Sequence, residues 1–173
     1  FKQFDESITT VDEFKTKLKS DIQARKSKES HDSLREETIK EVIDKNRFEL
    51  PEAMVERYLE RLIEDMRKNS KETIDEAEVR EQYRAVGIRQ IRWDLLFHDI
   101  AEKENIRVEQ SDIDTWLQRF ADNYKMTLEE ARKTISENRR IADLKETILE
   151  NKVIDFIIAG STVETVVDSI IQP

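Results

Sequence analysis

The chain has 173 residues, 40% of them charged and 37% hydrophobic, and a net charge of −9. Without cysteine it has neither a disulfide framework nor a thiol nucleophile, which suits the cytoplasm. Its acidity argues against general nucleic-acid binding, and no apolar run approaches the roughly 20 residues of a membrane span. Neither nucleic acid nor membrane is expected as a partner.

Only 2 glycines and 2 prolines occur, where average usage gives about 12 and 9. Few turn-formers mean few, long elements. The apolar residues recur at three- and four-residue steps, which a disordered tail of the same polarity would lack. Phe1-Lys2-Gln3-Phe4-Asp5 alternates weakly, so residues 1–10 are expected to be a strand remnant or linker from a preceding domain, with a helical domain over 11–173. Thr10 and Glu13 form a capping box. From Val11 to about Asn46 no breaker appears, giving a helix of about 50 Å. Val11, Phe14, Leu18 and Ile22 make an apolar stripe at its start, and Leu34, Ile39, Val42 and Ile43 another near its end. The polar residues 25–33 between them predict a helix buried only at its ends.

Pro51 then fits the first turn of a second helix, because its missing N–H and fixed φ cost nothing there. Leu50 before it is pushed out of the α region, so the chain redirects. Met54, Val55, Tyr58, Leu59, Leu62, Ile63 and Met66 give this helix its stripe, to about Asn69. Asp75 and Glu78 start a third helix that runs to about Glu104. Its apolar residues, among them Val79, Tyr83, Val86, Ile88, Ile91, Trp93, Leu95, Leu96, Phe97 and Ile100, cover more than one face, which predicts several packing neighbours. Gly87 inside it costs about 1 kcal/mol relative to alanine, for which a close helix contact and a bend are both adequate reasons. Ile106-Arg107-Val108 reads as a short extended link. Ser111 with Asp114, and Thr127 with Glu130, cap two short helices. The first bears Ile113, Trp116, Leu117 and Phe120; the second bears Leu128, Ala131 and Ile135. A last helix from about Asn138 to Ala159 carries Ile141, Leu144, Ile148, Ile154 and Ile157. Gly160 is placed for a left-handed cap, and Val163, Val166, Val167, Ile170 and Ile171 form an apolar tail.

The long helix, the Phe48-Glu49-Leu50-Pro51-Glu52 hinge and the amphipathic helix after it resemble the C-terminal domain of trigger factor, a family of ribosome-associated bacterial chaperones. The likeness continues through Leu95-Leu96-Phe97-His98-Asp99-Ile100 to Asn105-Ile106, through Asp112-Ile113-Asp114, and into Asn151-Lys152-Val153-Ile154-Asp155-Phe156-Ile157-Ile158. It implies an all-α, elongated fold with a long body helix and two protruding helical arms, related to the core of the periplasmic chaperone SurA. It also implies ATP-independent binding of unfolded or nascent polypeptides through scattered apolar patches. The family's ribosome-docking loop and its β-rich prolyl isomerase domain have no counterpart in these residues. The chain therefore reads as a fragment that neither isomerises proline nor reaches the ribosome except through an absent N-terminal domain. A SurA-like chaperone core and a helical adaptor for one defined partner are the alternatives; besides client polypeptides, a second copy of the chain in a weak homodimer is a candidate partner.

No residue pattern points to catalysis, a metal or a cofactor. His31 falls in the polar midsection, His98 beside Phe97 suits packing, and the carboxylates lie on solvated helix faces. The glycines are isolated, so no phosphate loop exists. What remains are large, adaptable side chains: Met54, Tyr58, Met66, Phe120, Tyr124 and Met126. Methionine is flexible and polarizable, and tyrosine adds a polar tip to apolar area. Each alone reads as core between helices; as a set, the resemblance makes them the candidate polypeptide-binding residues. Phe120 followed by Tyr124 matches a bulky apolar residue and a tyrosine in the family's second arm. Ala131 matches a further position of that surface but is smaller. Trp116 and Ile113 are assigned to the packing face.

Overall fold

The computed structural model describes residues 10–69, 74–137 and 140–164. Those residues form six helices and no strand: α1 (Val11–Lys45), α2 (Glu52–Asn69), α3 (Glu76–Lys103), α4 (Gln110–Tyr124), α5 (Leu128–Glu137) and α6 (Ile141–Ala159). The expected strand remnant at residues 1–5 and the apolar tail beyond Glu164 lie outside the described residues. The chain divides into two compact units, Phe1–Glu41 and Val42–Pro173.

The first unit is α1 up to Glu41. Its start is fixed as expected: the Glu13 amide donates to the Thr10 hydroxyl at 3.2 Å, and the Thr10 amide donates to the Glu13 carboxylate at 2.9 Å. The expected burial at both ends fails at this one. Val11, Leu18 and Ile22 are exposed, and only Phe14 is half-buried. Periodicity fixes which face of a helix is apolar, but it carries no information on whether anything packs there. Residues 25–33 are solvent-exposed throughout, as their polarity requires.

The second unit is built from two helical hairpins and α6. The helices α2 and α3 pack against each other, α4 packs against α5, and α6 packs against both α3 and α4. Between α2 and α3 lie buried Val55, Leu59 and Ile91, with Leu50, Met54, Tyr58, Tyr83 and Ile88 packed around them. Gly87 is explained here by close contact. A Cβ on it would stand 2.7 Å from Cδ1 and 2.9 Å from Cε1 of Tyr58, closer than carbon atoms tolerate. Arg84 clamps the same hairpin through both carboxylate oxygens of Glu52 at 2.6 Å and one of Glu56 at 3.2 Å. Arg80 also pairs with Glu56. The second core joins Ile113, Leu117 and Ala121 of α4 to Ala131 and Ile135 of α5 and Leu144 and Ile148 of α6.

Turn chemistry departs from expectation in two places. The cap of α4 is Glu109, whose amide donates to the Asp112 carboxylate at 2.9 Å, so the Ser111–Asp114 reading is displaced by two residues. An acidic side chain replaces the hydroxyl that the usual signature leads one to look for. Gly160 is right-handed at φ −87°, and the left-handed residues are Asn105 and Lys125, at φ 54° and 53°. There the Ile106 amide reaches back to the Ala101 carbonyl and the Met126 amide to that of Ala121, at 2.9 and 3.0 Å. These are the six-to-one bonds of a Schellman stop, closed without glycine.

Candidate functional site

The six candidate residues divide between the two hairpins. Met54 and Tyr58 are half-buried and turned into the α2–α3 contact, Tyr58 lying over Gly87. One turn beyond Leu62, half-buried Met66 lines an open recess of about 420 Å³ near the α2–α3 connection. Ile74, Val79 and Gln82 share it. Tyr58 also edges a second shallow recess of about 410 Å³, with Arg61, Leu62, Asp65, Ile91 and Asp94. Each recess pairs apolar walls with a rim of charged or amide side chains. Such a recess can take an apolar side chain while its rim stays hydrated.

On α4 the aromatic residues stack at four-residue steps. Trp116 lies parallel to Phe120 with ring centroids 5.2 Å apart, and Phe120 is tilted against Tyr124 at 4.6 Å. The ladder runs outward. Trp116 and Phe120 pack on the α4–α5–α6 core, whereas Tyr124 is 66% exposed. Met126 also packs on that core, held there by the helix stop that binds its amide. Phe120 and Met126 thus contribute both to the core and to the surface, and Tyr124 is the candidate that solvent reaches most freely. Ala131 is fully buried, so it is a core position and no part of an open surface. Its small side chain lets α5 approach α4. Ile113 is buried as assigned, while Trp116 is half-buried beneath Phe120.

Other apolar side chains escape the sequence reading. Val86 and Leu95 of α3 are 55% and 39% exposed, and Phe156 of α6 is 47% exposed. The apolar residues of α3 surround the helix, but α2 and α6 cover only two of its faces. Val86 lies two turns before Trp93, on the face that Trp93 turns toward α6. A count of apolar positions misses such residues; a count of available neighbours finds them.

The polar groups that stand out are structural. Trp93 donates its indole N–H to Glu150 at 2.6 Å, joining α3 to α6. His98 lies against Phe97, the rings tilted with centroids 4.1 Å apart, with Nδ1 2.7 Å from the Asp94 carbonyl and Nε2 2.9 Å from the Glu146 carboxylate. Burial lowers the affinity of that ring for its proton, but the Asp94 carbonyl and Glu146 outweigh it, and the pKa is raised. Two acceptors facing the two ring nitrogens are satisfied together only by the imidazolium. Lys152 of α6 binds the Arg107 carbonyl at 2.8 Å and Asp112 at 2.6 Å, fixing the link before α4. The Asp112 pKa is lowered by Lys152 and by the Glu109 amide. Among the described residues no group of three or more His, Cys, Asp or Glu could hold a metal ion. No described helix is long and apolar enough to cross a membrane.

Residues 10–159 match the family model of the bacterial trigger factor protein C-terminus. The chain is similar to the trigger factors of Anaeromyxobacter dehalogenans, at 26% identity over 170 residues, and of Geotalea uraniireducens, at 26% over 174. These matches cover 92% and 95% of this chain but only 39% and 40% of the relatives. That of Caldicellulosiruptor saccharolyticus is 28% identical over 160 residues, covering 86% of this chain and 36% of the relative. The chain thus spans about two fifths of the length of the curated relatives it matches. No solved structure matches significantly. With a family model matched over nearly its whole described length, the chain belongs to the trigger factor C-terminal family.

Proposed function

We propose that this chain is a chaperone domain that holds unfolded or nascent polypeptides without ATP. The observation that carries the reading is the family match over residues 10–159. The half-exposed apolar side chains of the two hairpins support it, since several weak sites on one chain hold a flexible client better than any one of them. Met54, Tyr58 and Met66 would serve on the α2–α3 hairpin, and Phe120, Tyr124 and Met126 on the α4–α5 hairpin. The charged rims keep the loaded complex in solution. A cytoplasmic setting is part of this reading, with a periplasmic SurA-like core as its alternative. Ribosome docking and proline isomerisation would belong to other parts of a longer protein.

The test is aggregation of chemically denatured clients diluted into buffer with and without the purified chain and no nucleotide. The chain should suppress light scattering by several unrelated clients, and these should compete with one another for it. Tyr124→Ser should weaken protection while leaving thermal unfolding unchanged, because an exposed substitution stays within about 0.5 kcal/mol. Absence of protection for every client, or protection of one alone, would replace the chaperone reading with that of a dedicated adaptor.

A further inference from the structure

The first half of α1 carries an apolar seam and a basic collar that the client surface on α2–α5 does not use. Val11, Leu18 and Ile22 are 50, 47 and 42% exposed, with half-buried Phe14 among them. At 3.6 residues per turn these four fall within an arc of about 80°. Lys15, Lys19 and Lys26 follow one border of that arc, and Lys17 and Lys28 the other. From residue 14 to residue 28 there are six cations and one anion, Asp21, in a chain whose net charge is −9. Lys17 has Asp21 at 3.7 Å and Arg25 has Glu29 at 3.5 Å. Lys15, Lys19, Lys26 and Lys28 form no ion pair among the described residues.

We propose that this face docks a single acidic amphipathic helix of a partner protein, apolar seam to apolar seam, with the partner's carboxylates on the lysine collar. The width of the seam selects a helix. An arc of about 80° is narrower than the stripe of roughly 100° or more by which a helix lies on a broad surface, and it suits the seam between two paired helices. The charge selects an acidic one. Residues bordering such a seam set partner choice by pairing across it, and a basic partner would meet four uncompensated lysines. An anionic bilayer offers the same charge, but it calls for a wider apolar face, and the remainder of the chain is acidic enough to oppose approach to it. A folded helix is not an unfolded client, so this surface goes beyond the chaperone reading.

The experiment uses the whole chain and two fluorescent three-heptad peptides. Both carry leucine at the a and d positions; one has glutamate and the other lysine at e and g. Anisotropy should show the glutamate peptide binding at least about tenfold tighter, with the preference shrinking as salt rises. Leu18→Asp with Ile22→Asp should abolish its binding. Lys15→Glu with Lys19→Glu and Lys26→Glu should reverse the preference, which covers the case in which the aspartates unwind α1; circular dichroism reports that unwinding. Equal binding of the two peptides, binding of neither, or a preference untouched by charge reversal would overturn the proposal. So would α1-dependent binding to phosphatidylglycerol vesicles without peptide binding, which would assign the face to a membrane. Aggregation suppression, measured on the same variants, should be unchanged and so separates this failure from failure of the chaperone reading.

Discussion

Replacing Gly87 by alanine sets helix propensity against packing at one atom. Removing glycine from the interior of α3 should add about 1 kcal/mol. The new Cβ, however, would lie 2.7 Å from the Tyr58 ring, where ordinary contact begins at 3.4 Å. The ring must therefore retreat by about 0.7 Å, out of the layer it shares with Val55, Leu59 and Ile91. Overpacking of this kind costs about 1–3 kcal/mol, so the net change should be a loss of up to about 2 kcal/mol. In a chain of this size each kcal/mol lost lowers Tm by roughly 2–4 °C. Urea unfolding of the parent, Gly87→Ala, Tyr58→Ala and the double variant completes a cycle. Once the ring is gone the alanine should become stabilising, with a coupling of about 1–3 kcal/mol between the sites, the whole overpacking cost. A Gly87→Ala chain that gains stability with Tyr58 in place, and shows no coupling, would refute the close-contact account. The glycine would then serve a bend.

The buried Trp93 indole depends on Glu150 for its acceptor. Glu150→Leu should cost about 1–3 kcal/mol by stranding that N–H, and Glu150→Gln clearly less, by urea denaturation. The Asp112 pKa is depressed from 3.8, so its contribution is present above that value and lost as pH falls through the lower folded-state pKa. Asp112→Asn should flatten the acid limb of the stability profile. For His98 the sign is opposite: the pKa is raised from 6.5, so stabilisation is complete below 6.5 and lost as pH rises through the folded-state value. An imidazole NMR titration should place His98 above free histidine, and Glu146→Gln should move it back. Polar substitution of Phe120 and Met126, which pack on the second core, should lower Tm far more than Tyr124→Ser does.

The sequence by itself determined the six helices, because the scarcity of Gly and Pro leaves long runs and the apolar steps of three and four mark each one. It also placed the Thr10 and Thr127 caps and the break at Pro51, all of which depend on residues within one turn of each other. It did not locate the stops at Asn105 and Lys125: asparagine is enriched in left-handed backbone but is more often found elsewhere, and lysine has no such preference at all. Tertiary structure decided which apolar stripes found partners. The stripe at Val55, Leu59 and Ile63 is buried, while that at Val11, Leu18 and Ile22 is open to solvent, although both show the same periodicity. It decided as well that Ala131 is core, that Gly87 makes room for Tyr58, and that Tyr124 is exposed while Phe120, one turn earlier, is not. A helix's own residues fix the direction in which each side chain leaves the axis. Whether that direction ends in water or in a neighbouring helix depends on segments far away in the chain.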